Sequence, residues 1–161
     1  MEEKIELNFI KTTFKRLVDD DKLLIESAKE NLENAYAPYS GFHVSASILL
    51  ENGIIINGTN QENIAYPSGL CAERVALFCA GSNYPNINIK AMAISAKYLD
   101  SDINDIISPC GACRQVMAEY QQKQNANIRV ILHSENNEVL ISESVENFLP
   151  FIFKFDKLRK F

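Results

Sequence analysis

Three of the four cysteines in this 161-residue chain stand in two short stretches that read as helix starts, Cys71-Ala72-Glu73 and Pro109-Cys110-Gly111-Ala112-Cys113. A lone Cys-x-x-Cys is ambiguous between a redox pair, half of a structural metal site and chance, but a third cysteine at a second helix start narrows the choice. Three thiolates can hold one zinc ion, and a fold that uses them together must bring both helix starts to one point. Zinc takes four ligands, and a catalytic site leaves one of them to water, whose pKa the metal lowers to about 7. Three sulfurs leave that position open, whereas a structural site closes with a fourth protein ligand, and none is evident at matching positions. Helix N-termini also suit thiolates, because their free N–H groups and partial positive charge lower a cysteine's pKa. Glu73, just after the first sulfur, can face the open position.

The rest of the chain supplies elements to carry these two starts. Asp19-Asp20-Asp21 reads as a helix cap, followed at helical spacing by Leu24, Ala28, Leu32 and Ala35, which predicts a first helix from Lys22 to Ala35. From Phe42 the period changes to two: Phe42, Val44, Ala46, Ile48 and Leu50 share one face and His43, Ser45 and Ser47 the other. Glu51-Asn52-Gly53 turns this strand into a return strand over Ile54 to Asn57. A second helix is expected from Leu70 to Gly81, a buried strand from Ala91 to Ala96, and a third helix after Pro109 with Cys113, Val116, Met117 and Tyr120 on one face. Ile128 to Leu132 and Glu138 to Ile141, joined by Asn136-Asn137, form a closing hairpin. The order describes an α/β fold, a five-stranded sheet between helices. Ile5, Leu7 and Phe9 alternate as a short strand would.

Composition limits what such a fold could act on. With 16 Lys and Arg against 21 Asp and Glu the net charge is -5, which disfavours a phosphate polymer as partner, since binding one depends on cations displacing its counterions. A small, weakly charged ligand is easier to reconcile. The apolar runs are far shorter than the roughly 20 residues of a membrane span. The start Met1-Glu2-Glu3-Lys4 lacks the basic and apolar regions of a secretory signal, so a cytoplasmic location is expected, where cysteines stay reduced. At 161 residues the chain is expected to form a single catalytic domain.

The stretches Ala37-Pro38-Tyr39-Ser40-Gly41-Phe42, Asn60-Gln61-Glu62-Asn63, Cys71-Ala72-Glu73-Arg74 and Ser108-Pro109-Cys110-Gly111-Ala112-Cys113-Arg114-Gln115-Val116 resemble the small homotetrameric cytidine deaminases, in the all-cysteine variant of the zinc deaminase signature. The resemblance covers about Leu24 to Phe153, which implies that residues 1-22 are an N-terminal extension packed on a catalytic domain over 23-161. It departs where the family often has glycine and alanine in place of Ser45 and Ser47. It implies a three-layer α/β/α fold with a mixed sheet, one Zn2+ per chain held by Cys71, Cys110 and Cys113, and deamination of cytidine and 2'-deoxycytidine in pyrimidine salvage. It also implies a homotetramer with sites shared between subunits. By the same resemblance Glu73 is the proton shuttle, Asn60 and Glu62 bind the ribose, Phe42 packs on the pyrimidine, backbone N–H groups near Ala72 hold the base carbonyl, and Phe153 reaches a neighbour's substrate.

Other readings bear on the same residues. A related deaminase for another aminated nucleoside or a nucleoside antibiotic would share the zinc site. A non-catalytic zinc protein, or a thiol redox module on Cys110 and Cys113, would not need Glu73, and nucleic-acid editing is opposed by the acidic balance. Arg74 is either a solvated helix arginine or, as favoured here, a guanidinium offsetting the charge of the thiolate cluster. Cys79 falls on the apolar face of its helix and reads as a buried thiol. His43, on a polar strand face, and His133, entering a turn, read as surface residues.

Overall fold

The computed structural model describes residues 2–154. Strand β1 (Ile10–Thr13) leads through a 3-10 turn (Phe14–Arg16) into helix α1 (Asp19–Asn31). The antiparallel pair β2 (Phe42–Leu50) and β3 (Ile55–Thr59) precedes helix α2 (Ala72–Asn83), strand β4 (Ile89–Tyr98) and helix α3 (Gly111–Gln124). Strands β5 (Arg129–His133) and β6 (Glu138–Ser142) follow, and a 3-10 turn spans Val145–Phe148. The sheet runs β1-β6-β5-β4-β2-β3. Only β4 and β5 are parallel, as the crossover through α3 between them requires, so the sheet is mixed.

The sheet has six strands where the sequence suggested five. The sixth, β1, lies along β6 with Ile10 opposite Ile141 and Thr13 opposite Glu138. The alternating Ile5, Leu7 and Phe9 just before it are outside regular structure and exposed. Ile10-Lys11-Thr12-Thr13 is mostly exposed as well, so backbone pairing rather than apolar burial makes it a strand, and periodicity had nothing to detect. Helix α1 begins at Asp19, earlier than Lys22; Val18 is its N-cap, and the three aspartates occupy the first turn without a side-chain cap bond, where they favour the helix dipole. Asp21 is buried and pairs with Arg129 of β5 at 2.9 Å.

Residue parity sorts the strands between two cores, giving three layers. Even-numbered Ala46, Ile48, Met92, Ile94, Val130 and Leu132 meet Ala76 and Leu77 of α2 and Met117 and Ala118 of α3. Odd-numbered Ala91, Ala93 and Ile131 meet Leu24 and Ile25 of α1, each such buried Leu or Ile contributing roughly 1.5–3 kcal/mol. Both faces are therefore covered, as expected of a sheet between helices, and the polar row of β2 lies under α1. Ser45 and Ser47 are fully buried. The Ser47 hydroxyl donates to Asn57 Oδ1, and Asn31 of α1 donates to Ser45 Oγ at 3.5 Å. His133 is corrected: it ends β5 on this face, only 6% exposed, with Nδ1 3.4 Å from Ser95 Oγ. His43 is half-buried, its Nδ1 3.1 Å from the Leu32 carbonyl. Cys79, expected buried, is exposed, because α2 buries Ala76, Leu77 and Ala80 instead.

Candidate active site

The site begins with a glycine. A Cβ on Gly58 would lie 2.4 Å from Ala76 N and 2.7 Å from Ala72 O, so β3 and the first turn of α2 make a backbone approach that only glycine permits. That contact seats the α2 N-terminus, whose N-cap is Cys71 with extended backbone (φ −73°, ψ 154°). Cys110 is the N-cap of α3 in nearly the same conformation (φ −67°, ψ 166°). At such positions a Ser or Asp side chain would normally bond back to the helix N–H groups, but neither cysteine does. Their sulfurs meet instead.

Cys71 Sγ lies 3.9 Å from Cys110 Sγ, and Cys110 Sγ lies 3.5 Å from Cys113 Sγ. All three sulfurs fall within 4.8 Å of one another. A tetrahedral zinc with sulfurs at about 2.3 Å needs them about 3.8 Å apart, so the donor set and its spacing fit that ion, and Cys71, Cys110 and Cys113 are positioned to bind one metal. Among the described residues no fourth His, Cys, Asp or Glu joins the group, which leaves a coordination position for a small molecule. A hydrogen bond from Cys113 brings the Cys71 thiol down to about 5, with Arg74 and Cys110 acting in the same direction. The Cys113 thiol is pushed up by the same bond, by burial and by the Glu73 carboxylate. The cluster thus favours negative charge on the Cys71 sulfur and a proton on Cys113.

Glu73, only 4% exposed, is the sole acid in the first turn of α2. Burial first, and then the Cys71 charge, push its carboxyl above the usual range, so it resists ionising and is suited to holding a proton. Arg74 donates through its terminal nitrogen to Cys71 Sγ at 3.7 Å, and its own proton is held more tightly by that sulfur. The position of its guanidinium fits the expected charge compensation rather than a solvated helix face.

A cavity of about 710 Å³ opens over the sulfurs, lined by Phe42, Asn60, Glu62, Cys71, Glu73, Arg74 and Cys110 among others. Asn60 extends the β2–β3 ladder with its side chain, accepting from Val44 N and donating to Phe42 O, both at 2.8 Å. Glu62 accepts from the backbone N–H groups of Tyr39 and Ser40 and from the Ser40 hydroxyl, and the Ser40 bond lowers its pKa. Sequence reasoning named Asn60 and Glu62 without these partners; the turn at Tyr39 and Ser40, within the resembling stretch, was the available signal. Ala72 is fully buried in the core, and as the first residue of α2 its N–H has no acceptor within the helix. Phe153 stands outside the cavity, 75% exposed, its carbonyl accepting from Gln115 Nε2 at 3.1 Å.

With this geometry in place, the likeness to known proteins is specific. Residues 18–139 match the family described as the cytidine and deoxycytidylate deaminase zinc-binding region. The cytidine deaminase of Sporosarcina psychrophila is 48% identical over 103 residues, 64% of this chain and 71% of that one. That of Halalkalibacterium halodurans is 40% identical over 124 residues, 77% of this chain and 89% of its own. In structure, the cytidine deaminase from Burkholderia pseudomallei superposes with a TM-score of 0.70 at 35% identity, covering 85% of this chain and all of that one. Fold and site together define a zinc-binding deaminase domain. The chain belongs to the cytidine and deoxycytidylate deaminase family.

Proposed function

We propose that this protein is a cytidine deaminase, hydrolysing the exocyclic amine of cytidine and 2'-deoxycytidine to give uridine, 2'-deoxyuridine and ammonia. The observation that carries this reading is Glu73, a buried carboxyl with a raised pKa, beside three sulfurs spaced for one zinc, with Cys71 and Cys110 lining the cavity. Zinc, when bound by Cys71, Cys110 and Cys113, lowers the pKa of water and so supplies a nucleophile at neutral pH. Glu73 would take one proton from the attacking water and deliver it to N3 of the pyrimidine as the C4–O bond forms, then take the proton of the new C4 hydroxyl and pass it to the amine, which leaves as ammonia when the C4–N bond breaks. A carboxyl buried enough to hold a proton, and beside sulfur charge that favours giving none away to solvent, suits those transfers.

The other residues bind and orient. The Ala72 N–H, free of a helix partner, donates to the base carbonyl. Phe42 on the cavity wall packs against the ring, while Asn60 and Glu62 hold the ribose. Arg74 offsets the negative charge of the sulfurs, and the position of its guanidinium 3.7 Å from Cys71 supports that role. The exposed Phe153 reaches the site of a neighbouring copy in a homotetramer. No described helix is long and apolar enough to cross a membrane, and the enzyme works on free nucleosides in the cytoplasm. The direct test follows cytidine absorbance with the protein as purified and after a chelator. The expected result is turnover that chelation abolishes and zinc restores; no turnover with one zinc per chain would refute the substrate, and undiminished turnover after complete zinc removal would refute the site.

A further inference from the structure

The three sulfurs are not held equally well. Cys71 caps α2 against β3, and Cys113 is buried inside α3. Cys110 is exposed and ends a segment, residues 99–110, that contains no helix or strand. The early part of that segment is tied to the β5–β6 turn, where Ile103 N donates to Glu135 and Asn136 donates to the Asn104 carbonyl at 3.0 Å. The end that carries the sulfur is tied by one side chain. Arg114 Nε donates to the Pro109 carbonyl at 2.7 Å, and one terminal nitrogen donates to Ser108 Oγ at 2.8 Å. Its other terminal nitrogen donates to the Phe148 carbonyl at 3.2 Å. Phe148 is a firm post: it is buried, and its ring meets Phe9 edge-on with centroids 5.0 Å apart.

The Pro109 carbonyl belongs to the peptide that ends at Cys110 N. Fixing that plane fixes where Cys110 starts, and proline has no N–H with which to anchor itself. From these bonds we propose that Arg114 is a positioning residue for the metal, bracing the Ser108-Pro109-Cys110 arm so that the Cys110 sulfur points at Cys71 and Cys113. The planar guanidinium serves three acceptors at once from two segments of the chain. An ammonium on a flexible stem carries the same charge but not the fork, so charge and geometry can be separated by mutation. The inference rests on the zinc reading of the site.

The experiment loads wild type, Arg114→Lys, Arg114→Gln, Ser108→Ala and Ile25→Ala with zinc and measures its rate of transfer to excess chromophoric chelator, alongside the melting midpoint. The same proteins loaded with cobalt report sulfur geometry through their thiolate absorption bands. Losing an outer partner of a ligand typically costs 10- to 100-fold in metal affinity. Both Arg114 variants are therefore expected to release zinc at least tenfold faster and to show altered cobalt bands, with Ser108→Ala moving the same way by less. Ile25→Ala, which destabilises the opposite side of the sheet, is expected to release zinc at the wild-type rate. Wild-type release from Arg114→Lys would overturn the proposal, and so would equal acceleration by Ile25→Ala at a matched loss of melting midpoint. Should Arg114→Gln not fold, Arg114→Lys and Ser108→Ala decide alone. A wild type that binds no zinc would overturn the site itself, a result distinct from zinc held equally well with and without Arg114.

Discussion

The two faces of the sheet differ in what their polar residues do. On the α2–α3 side, Cys71, Glu73 and Cys110 line an open cavity with Cys113 buried behind them, and their polarity is aimed at something outside the chain. On the α1 side, Ser45, Ser47, Ser95 and His133 are buried at 6% exposure or less and are turned on one another and on α1. Both faces place polar groups where water is excluded, which is costly unless each finds a partner. The α1 face finds most of them in its own chain, although His133 Nε2 is left without a hydrogen-bond partner. The other face leaves its groups for a metal and a ligand. Burial of polar groups is thus common to both, and the functional face is distinguished by three sulfurs spaced for one metal beside a buried carboxyl.

The largest effects should separate the faces outright. Cys113→Ser removes one of only three protein ligands and is expected to lose zinc and activity together. Glu73→Gln keeps the ligands, so it should keep zinc and bind nucleoside while losing at least ~10²- to 10⁴-fold in kcat, the share of general acid-base catalysis. Metal analysis and turnover on the same samples check both. Near-normal turnover by Glu73→Gln would erase the distinction drawn here, since Glu73 would then be one more buried polar group.

An intermediate effect tests whether the cavity takes a free nucleoside. The Ser40 bond holds the Glu62 carboxyl below its ordinary pKa and so ionised, and a substrate 3'-phosphate would place like charge against it. Removing the 3'-hydroxyl instead loses one hydrogen bond to a charged acceptor, roughly 1.5–3 kcal/mol, or about 10- to 160-fold. Cytidine and 2'-deoxycytidine are therefore expected to be comparable in kcat/KM, with 3'-deoxycytidine and cytidine 3'-monophosphate well below them. Equal use of the 3'-phosphate would show that Glu62, satisfied by Tyr39 and Ser40, never meets the ribose.

Legibility in the sequence followed the same division. The cysteine spacing exposed the zinc site because no packing role calls for three thiols at two helix starts, and the helices and inner strands were visible through their periodicity. On the α1 face one residue was misread. His133, entering a turn, looked like a surface residue, yet it ends β5 on the face that α1 covers, and nothing local to β5 signals it. β1 escaped because pairing at a sheet edge needs no apolar pattern. Gly58 was passed over because its reason lies in α2, outside its own strand. Arg114 was visible only as part of a resembling stretch, since its acceptors Pro109 and Phe148 are brought together by the fold.

The smallest effect belongs to the α1 face and concerns His133. Burial first, and then the nearby Lys29 of α1, hold its pKa below the ordinary imidazole value. Glu26 of α1 and Glu135 of the following turn act the other way, as does Asn137, while the Phe14 ring covers it edge-on at 6.1 Å. The sign follows from proton counts. As pH falls through about 6.5, the unfolded chain takes up a proton on this residue that the folded chain resists, so stability drops until the lower folded value is passed and then levels. Wild type should therefore lose part of its melting midpoint between pH 7.5 and 5.5 through this group, no more than the few degrees that about 1 kcal/mol is worth at this chain length. His133→Leu removes the titration, so its midpoint should fall less over the same interval, whatever its starting value. Turnover per bound zinc should be unchanged at pH 7.5, because His133 lies across the sheet from the sulfurs. An identical pH slope in wild type and His133→Leu would mean that His133 titrates alike in the folded and unfolded chains. A loss of turnover per zinc would instead join the two faces that the structure keeps apart.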